Sequence, residues 1–129
     1  MGSAFDRSRI SILVVEDEPL LLWDAIDLIE EAGFTAYGAA NADEAIALFE
    51  THADIRVLFT DVDMPGSMDG LRLAHAVKNR WPPVTIIVAS GHVNVTPEEL
   101  PEHGLFFRKP YPPTSVIRAL NGIADRLSA

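Results

Sequence analysis

Five short apolar runs punctuate this chain, and most are followed by a stretch whose apolar positions fall three and four residues apart. Ile10–Val15 (ISILVV) is nearly all apolar and β-branched, the pattern of a strand covered on both faces. Pro19 opens a helical stretch to Ala32, with Ala25, Leu28, Ile29 and Ala32 on one face and Gly33 as its stop. Phe34–Ala39 reads as a second, weaker strand. Asn41 then caps an amphipathic helix carrying Ala45, Ile46, Leu48 and Phe49, with acids in its first turn. Ile55–Thr60 is the third strand, and a helix over roughly Leu71–Trp81 is stopped by Pro82-Pro83. Val84–Ala89 and Leu105–Arg108 are the fourth and fifth strands. Thr114 or Ser115 caps a last helix in which Val116, Leu120, Ile123 and Leu127 share a face. Strands alternating with helices predict an α/β fold, a five-stranded doubly wound parallel sheet with helices on both sides.

One helix in the series is defective. Thr96-Pro97-Glu98-Glu99 is a good helix start, with a cap, an early proline and early acids. Pro101 then lacks the N–H that the next turn needs, so this fourth helix is stunted to barely a turn.

At 129 residues the chain is the size of one domain, with 48% hydrophobic residues and a core large enough to need no staples. Residues 10–129 are read as that domain and residues 1–9 as a loose leader. There is no cysteine, which excludes disulfides, thiolate metal sites and cysteine nucleophiles. No stretch approaches the ~20 apolar residues of a membrane span. The apolar run near the start is too short, and too acidic behind it, for a signal peptide. A soluble, cytoplasmic protein is expected.

The net charge of −9 is unevenly spread. Residues 1–69 carry 3 basic and 15 acidic side chains, residues 70–129 carry 7 and 4, and none between Ile10 and Ile55 is Lys or Arg. Such a surface repels nucleic-acid backbones and suits a basic protein partner.

In an open parallel sheet, ligands bind outside the carboxyl ends of the strands. Those ends carry Glu16-Asp17 after the first strand, Asp61 after the third, Ser90 after the fourth and Lys109 after the fifth. Clustered acids repel one another and take up protons unless a cation sits among them. Oxygen ligands without His or Cys select a hard ion such as Mg²⁺. With such an ion present, one carboxylate can attack phosphorus and become an aspartyl phosphate, with Lys109 and Ser90 positioning the phosphoryl oxygens.

The set Glu16-Asp17, Asp61, Ser90 and Lys109-Pro110, in that order, resembles the receiver (response-regulator) domain of two-component signalling. The likeness runs from Ile10 to about Leu127 and implies the (βα)5, flavodoxin-like arrangement. It implies that Asp61 accepts a phosphoryl group from a histidine kinase or a histidine phosphotransfer protein. Asp17 and Asp61 would be direct Mg²⁺ ligands, Glu16 a ligand through water, and Asp63 a ligand through its backbone carbonyl. Ser90 and Lys109 would bind phosphoryl oxygens, and Phe106 would be the aromatic switch residue paired with Ser90. His92 and Pro110 fall at the rim of this site, and His52, His75 and His103 show no ligand spacing.

Glu16-Asp17 as helix-capping acids, Ser90-Gly91 as a turn and Lys109 as a solvated charge are each sufficient explanations alone. They do not explain why all occupy matching strand ends. Two rivals remain. Asp61-Val62-Asp63 also resembles the DxD of haloacid dehalogenase-type phosphohydrolases, which would make the chain an enzyme with turnover. A receiver-like binding module that is never phosphorylated is the other. Glu16 in place of the commoner Asp, and one extra residue in "MPGSMDG", are mild departures from the receiver pattern. The stunted fourth helix is the serious one, because it removes part of the family's usual output face. With no segment left over for an output domain, the expectation is a stand-alone receiver that signals to a downstream protein by contact, or relays or sinks phosphate. A chain cut from a larger protein, with Met1-Gly2-Ser3 left by cloning, is the alternative.

Overall fold

The structure is a computed structural model that describes residues 6–128. Its strands are β1 (Ser11–Val15), β2 (Thr35–Ala39), β3 (Ile55–Asp61), β4 (Thr85–Ser90) and β5 (Leu105–Arg108). All pair parallel, in the order β2-β1-β3-β4-β5. The helices are α1 (Pro19–Glu31), α2 (Ala42–Thr51), α3 (Gly70–Arg80) and α4 (Pro113–Ser128).

Alternation along the central strands divides the core in two. Leu13, Val15, Leu58, Ile86 and Val88 face α2 and α3, where they meet Ala45, Phe49, Leu73 and Val77. Ile12, Val14, Val57, Phe59, Ile87 and Ala89 face the other way, against Ile29 of α1 and Val116, Leu120 and Ile123 of α4. Two covered faces are why these strands carry unbroken apolar runs. In β3 the register against β1 shifts between Ile55 and Val57. The residue passed over is Arg56, which reaches solvent and whose guanidinium donates to the Ala53 carbonyl at 2.5 Å.

The helix ends follow local chemistry. Asn41 Oδ1 accepts from the Glu44 N–H at 2.9 Å, and Asp69 Oδ1 accepts from the Arg72 N–H at 2.9 Å, so both helices begin on a side-chain cap. The last helix starts at Pro113, ahead of the expected caps Thr114 and Ser115, because proline's fixed φ suits a first turn that needs no N–H. At its other end α3 stops at Arg80, before Pro82.

Between β4 and β5 the only helical piece is a 3-10 turn at Pro97–Glu99. Glu99 Oε1 accepts from both the N–H and the hydroxyl of Thr96, at 3.0 and 3.1 Å, which closes the turn locally. Leu100 is then extended, as the residue before a proline prefers, and the helix cannot continue. An imidazole nitrogen of His75 on α3 lies 2.7 Å from the Glu99 carbonyl oxygen and ties this segment down.

The expected loose leader is ordered in part. Arg7–Arg9 forms a 3-10 turn capped by Asp6, and Arg7 reaches across to Asn121 Oδ1 at 2.6 Å and lies over the Phe34 ring. Its first five residues lie outside the described ones. Among the described residues no helix is long and apolar enough to cross a membrane.

Candidate functional site

Asp61 is the last residue of β3 and pairs with Ala89 of β4, so its side chain emerges at the carboxyl edge of the sheet beside Ser90. Glu16 follows β1 directly and is buried, while Asp17 next to it is exposed. One carboxylate oxygen from each of Glu16, Asp17 and Asp61 lies within 4.8 Å of the others. Lys109, just after β5, reaches into this group: its Nζ is 3.0 Å from Glu16 Oε1 and 3.2 Å from Asp61 Oδ1. The Lys109 N–H donates to the Ser90 carbonyl at 3.0 Å, which fixes where the ammonium can go. The peptide bond to Pro110, itself exposed at the rim, is cis.

Electrostatics of the cluster are unbalanced. Burial pushes the Asp61 carboxyl above its ordinary range; Lys109 opposes this, and the Asp63 and Asp17 charges add to it. Burial likewise raises Glu16, against the hydrogen bonds it accepts from the Glu18 N–H and from Lys109. Burial alone would lower Lys109, but the hydrogen bond to Glu16 and the charges of Asp61 and Glu16 outweigh it and raise the ammonium. One cation therefore faces three acids, two of them held at a cost. An additional hard cation would relieve that cost, and an all-carboxylate donor set fits one.

Ser90 is completely buried. Its Oγ accepts from the N–H of Val93 at 2.9 Å and of His92 at 3.2 Å, and its hydroxyl lies 3.3 Å from Asp63 Oδ2. That hydroxyl hydrogen-bonds to Asp63 and to none of Glu16, Asp17 and Asp61. His92 contributes that backbone N–H while its side chain stays at the exposed rim. Phe106 is half-buried and packs on the α2–α3 side of the sheet, beside Val88 in register on β4.

Two features had no counterpart in the sequence reading. Gly70, at the start of α3, lies so close to β3 that an added Cβ would sit 1.9 Å from the Asp61 carbonyl oxygen. Its only sequence signal is Asp69-Gly70 ahead of an apolar helix, which reads equally well as a turn. The second is a cavity of about 390 Å³ beside the acids, lined by Val14, Leu21, Ala25, Leu28, Phe59 and Tyr111. On the first helix Leu22 packs inward, while Leu20 (79% exposed), Leu21 and Trp23 (61%) face out.

Residues 12–121 match the family profile described as the response regulator receiver domain. Over 85 residues the chain is 34% identical to the nitrogen assimilation regulatory protein NtrX of Azorhizobium caulinodans, covering 65% of this chain and 18% of that protein. It is 26% identical over 93 residues to the sensor protein TorS of Escherichia coli, covering 72% of this chain and 10% of that one. The chain thus spans under a fifth of the length of these curated relatives. Among solved structures, a response regulator receiver domain protein from Clostridium thermocellum superposes with a TM-score of 0.84 at 25% identity, over 92% of this chain and 97% of that one.

Proposed function

The chain belongs to the response regulator receiver domain family of two-component signalling, and we propose that it accepts a phosphoryl group on Asp61 and holds it as a signal. The observation that carries this reading is a mostly buried carboxylate at a strand end, with an ammonium at 3.2 Å and two further acids within 4.8 Å. An Asp61 oxygen attacks the phosphorus of a phosphohistidine on a histidine kinase or phosphotransfer protein. The P–N bond breaks, and the imidazole nitrogen keeps the electron pair. Lys109 is already placed to receive a phosphoryl oxygen, and Ser90 lies one short movement away. Asp17, Asp61 and the Asp63 carbonyl would hold Mg²⁺, with Glu16 acting through water, and the ion would supply charge neutralisation.

Phe106 takes part indirectly. When Ser90 moves toward a phosphoryl oxygen it vacates volume, and burial of the ring favours Phe106 filling it. Because the connection between β4 and β5 holds only the 3-10 turn at Pro97–Glu99, the change passes through residues 91–104 and α4 to a protein partner.

The test is stoichiometric. With acetyl phosphate and Mg²⁺, intact mass should show one phosphoryl group per chain that outlasts removal of the donor. Continuous release of phosphate from a small ester would instead support the DxD phosphohydrolase. Neither uptake nor release would leave a binding module.

Leu20, Leu21 and Trp23 form an exposed apolar face next to Asp24 and Asp27, on a helix with no basic residue. Apolar contact rimmed by acid suits a basic helical surface on the phosphodonor. Trp23→Ala should slow phosphotransfer from the cognate kinase by roughly tenfold, the effect of losing about 1.4 kcal/mol of docking energy. Uptake from acetyl phosphate, which needs no docking, should not change. Equal rates from the kinase would remove this face from the docking surface.

A further inference from the structure

The side chain of Asp63 has a position in the site and no role in the chemistry above. It is exposed, two residues beyond Asp61, and its Oδ2 lies 3.3 Å from the Ser90 hydroxyl. A serine hydroxyl has one proton to donate and two lone pairs with which to accept. At Ser90 both kinds of capacity are taken. The N–H groups of Val93 and His92 occupy the acceptor side, and Asp63 occupies the donor side. These partners aim the only proton of a completely buried hydroxyl at a carboxylate that is not the phosphoacceptor.

We propose that Asp63 is a positioning residue: its carboxylate latches the Ser90 hydroxyl in the resting state and competes with a phosphoryl oxygen on Asp61 for the same proton. Both acceptors are anionic, so the competition is between two charge-assisted bonds and is balanced finely enough to be reversible. The backbone donors set the pivot, because they hold the Ser90 oxygen while its proton changes partner. The second acid of the Asp61-Val62-Asp63 sequence thereby tunes the switch, with no proton transfer of its own. The latch stands on the resting geometry; its consequence for switching rests on the phosphoacceptor reading.

Two arms separate these. In the unphosphorylated, metal-free chain, amide hydrogen exchange at His92 and Val93 reports how firmly the Ser90 oxygen is held. Asp63→Ala should speed it by roughly fivefold, the effect of one ordinary hydrogen bond. Asp63→Asn keeps a carbonyl acceptor and should stay near the parent. In a Ser90→Ala background the change from Asp63 to Ala should have no effect. Unchanged exchange in Asp63→Ala, or the same acceleration without Ser90, overturns the latch. In the second arm, beryllofluoride with Mg²⁺ stands in for the phosphoryl group. Asp63→Ala should reach half-saturation at a concentration about fivefold below that of Asp63→Asn, a gap that disappears in Ser90→Ala. Both variants lack the charge, so a gap between them isolates the hydrogen bond, and equal midpoints overturn the competition. If the parent chain neither binds beryllofluoride nor takes up phosphate, the phosphoacceptor reading fails, and the exchange arm still decides the latch.

Discussion

Asp61→Asn should abolish phosphoryl uptake from acetyl phosphate while making the metal-free chain more stable. The amide is isosteric and cannot form an acyl phosphate, so no labelled species should appear by intact mass, with or without Mg²⁺. Uptake that persists would move the acceptor to Glu16 or Asp17. The gain in stability follows from the sign of the pKa shift. Burial raises the Asp61 carboxyl in the folded state above its unfolded value, so ionisation at neutral pH opposes folding. Removing that charge should stabilise the metal-free chain, less whatever Lys109 loses as a partner. Mg²⁺ should raise the melting temperature of the parent chain and raise that of Asp61→Asn much less, since one charged ligand is gone. A variant that melts below the parent in EDTA would show that the Lys109–Asp61 pair outweighs the burial cost.

Gly70→Ala should be among the most damaging single-methyl additions to this chain. The new Cβ would meet the Asp61 carbonyl oxygen at 1.9 Å, the Asp61 carbonyl carbon at 2.7 Å and the Val62 Cα at 2.9 Å. All three atoms are backbone, so no side chain can swing aside. Either α3 backs away from β3, opening the core at Leu73 and Val77, or the end of β3 moves and carries Asp61 with it. Overpacking of this kind costs about 1–3 kcal/mol or more, which lowers the melting temperature by roughly 5–15 °C for a domain of this size. Uptake of phosphate should slow as well, because Lys109 and the acids keep their places while Asp61 shifts. Gly38→Ala is the control. Its Cβ would meet the ends of the Ile26 and Leu22 side chains at 2.9 and 3.3 Å, and those can rotate. If Gly70→Ala melts within a degree or two of Gly38→Ala, the close approach is not real in solution.

These two residues mark what a sequence does and does not carry. The central strands are legible because both faces of each are covered, which leaves runs such as Val57–Phe59 unmistakable. Pro101 announces the loss of a helix because its effect is local and needs no knowledge of neighbours. The placing of Glu16, Asp17, Asp61 and Lys109 at one edge follows from topology alone, once the strands are parallel. Gly70 is different. Its requirement arises from the distance between α3 and the end of β3, and nothing within several residues of it encodes that distance. The register shift at Arg56 and the bond between Ser90 and Asp63 are also relations between segments. So is the split within Leu20–Trp23, where a helix cannot turn four consecutive apolar residues inward and packing on Gly38 draws Leu22 in.

Strand β5 lies at one margin of the sheet, with Leu105 37% exposed and only a 3-10 turn in the connection that precedes it. A margin of this kind is an invitation to sheet growth, since its free N–H and C=O groups can template a strand from another chain. The invitation here is brief. The strand is four residues long and ends on Arg108; Lys109 follows, and then Pro110, which has no N–H to offer. One exposed cation, Arg108, and a missing donor end the template before an incoming strand could make more than a few bonds. The proline that follows the lysine facing Asp61 thus also belongs to a stop against stacking edge to edge, and replacing Arg108 and Pro110 with apolar residues should cost solubility.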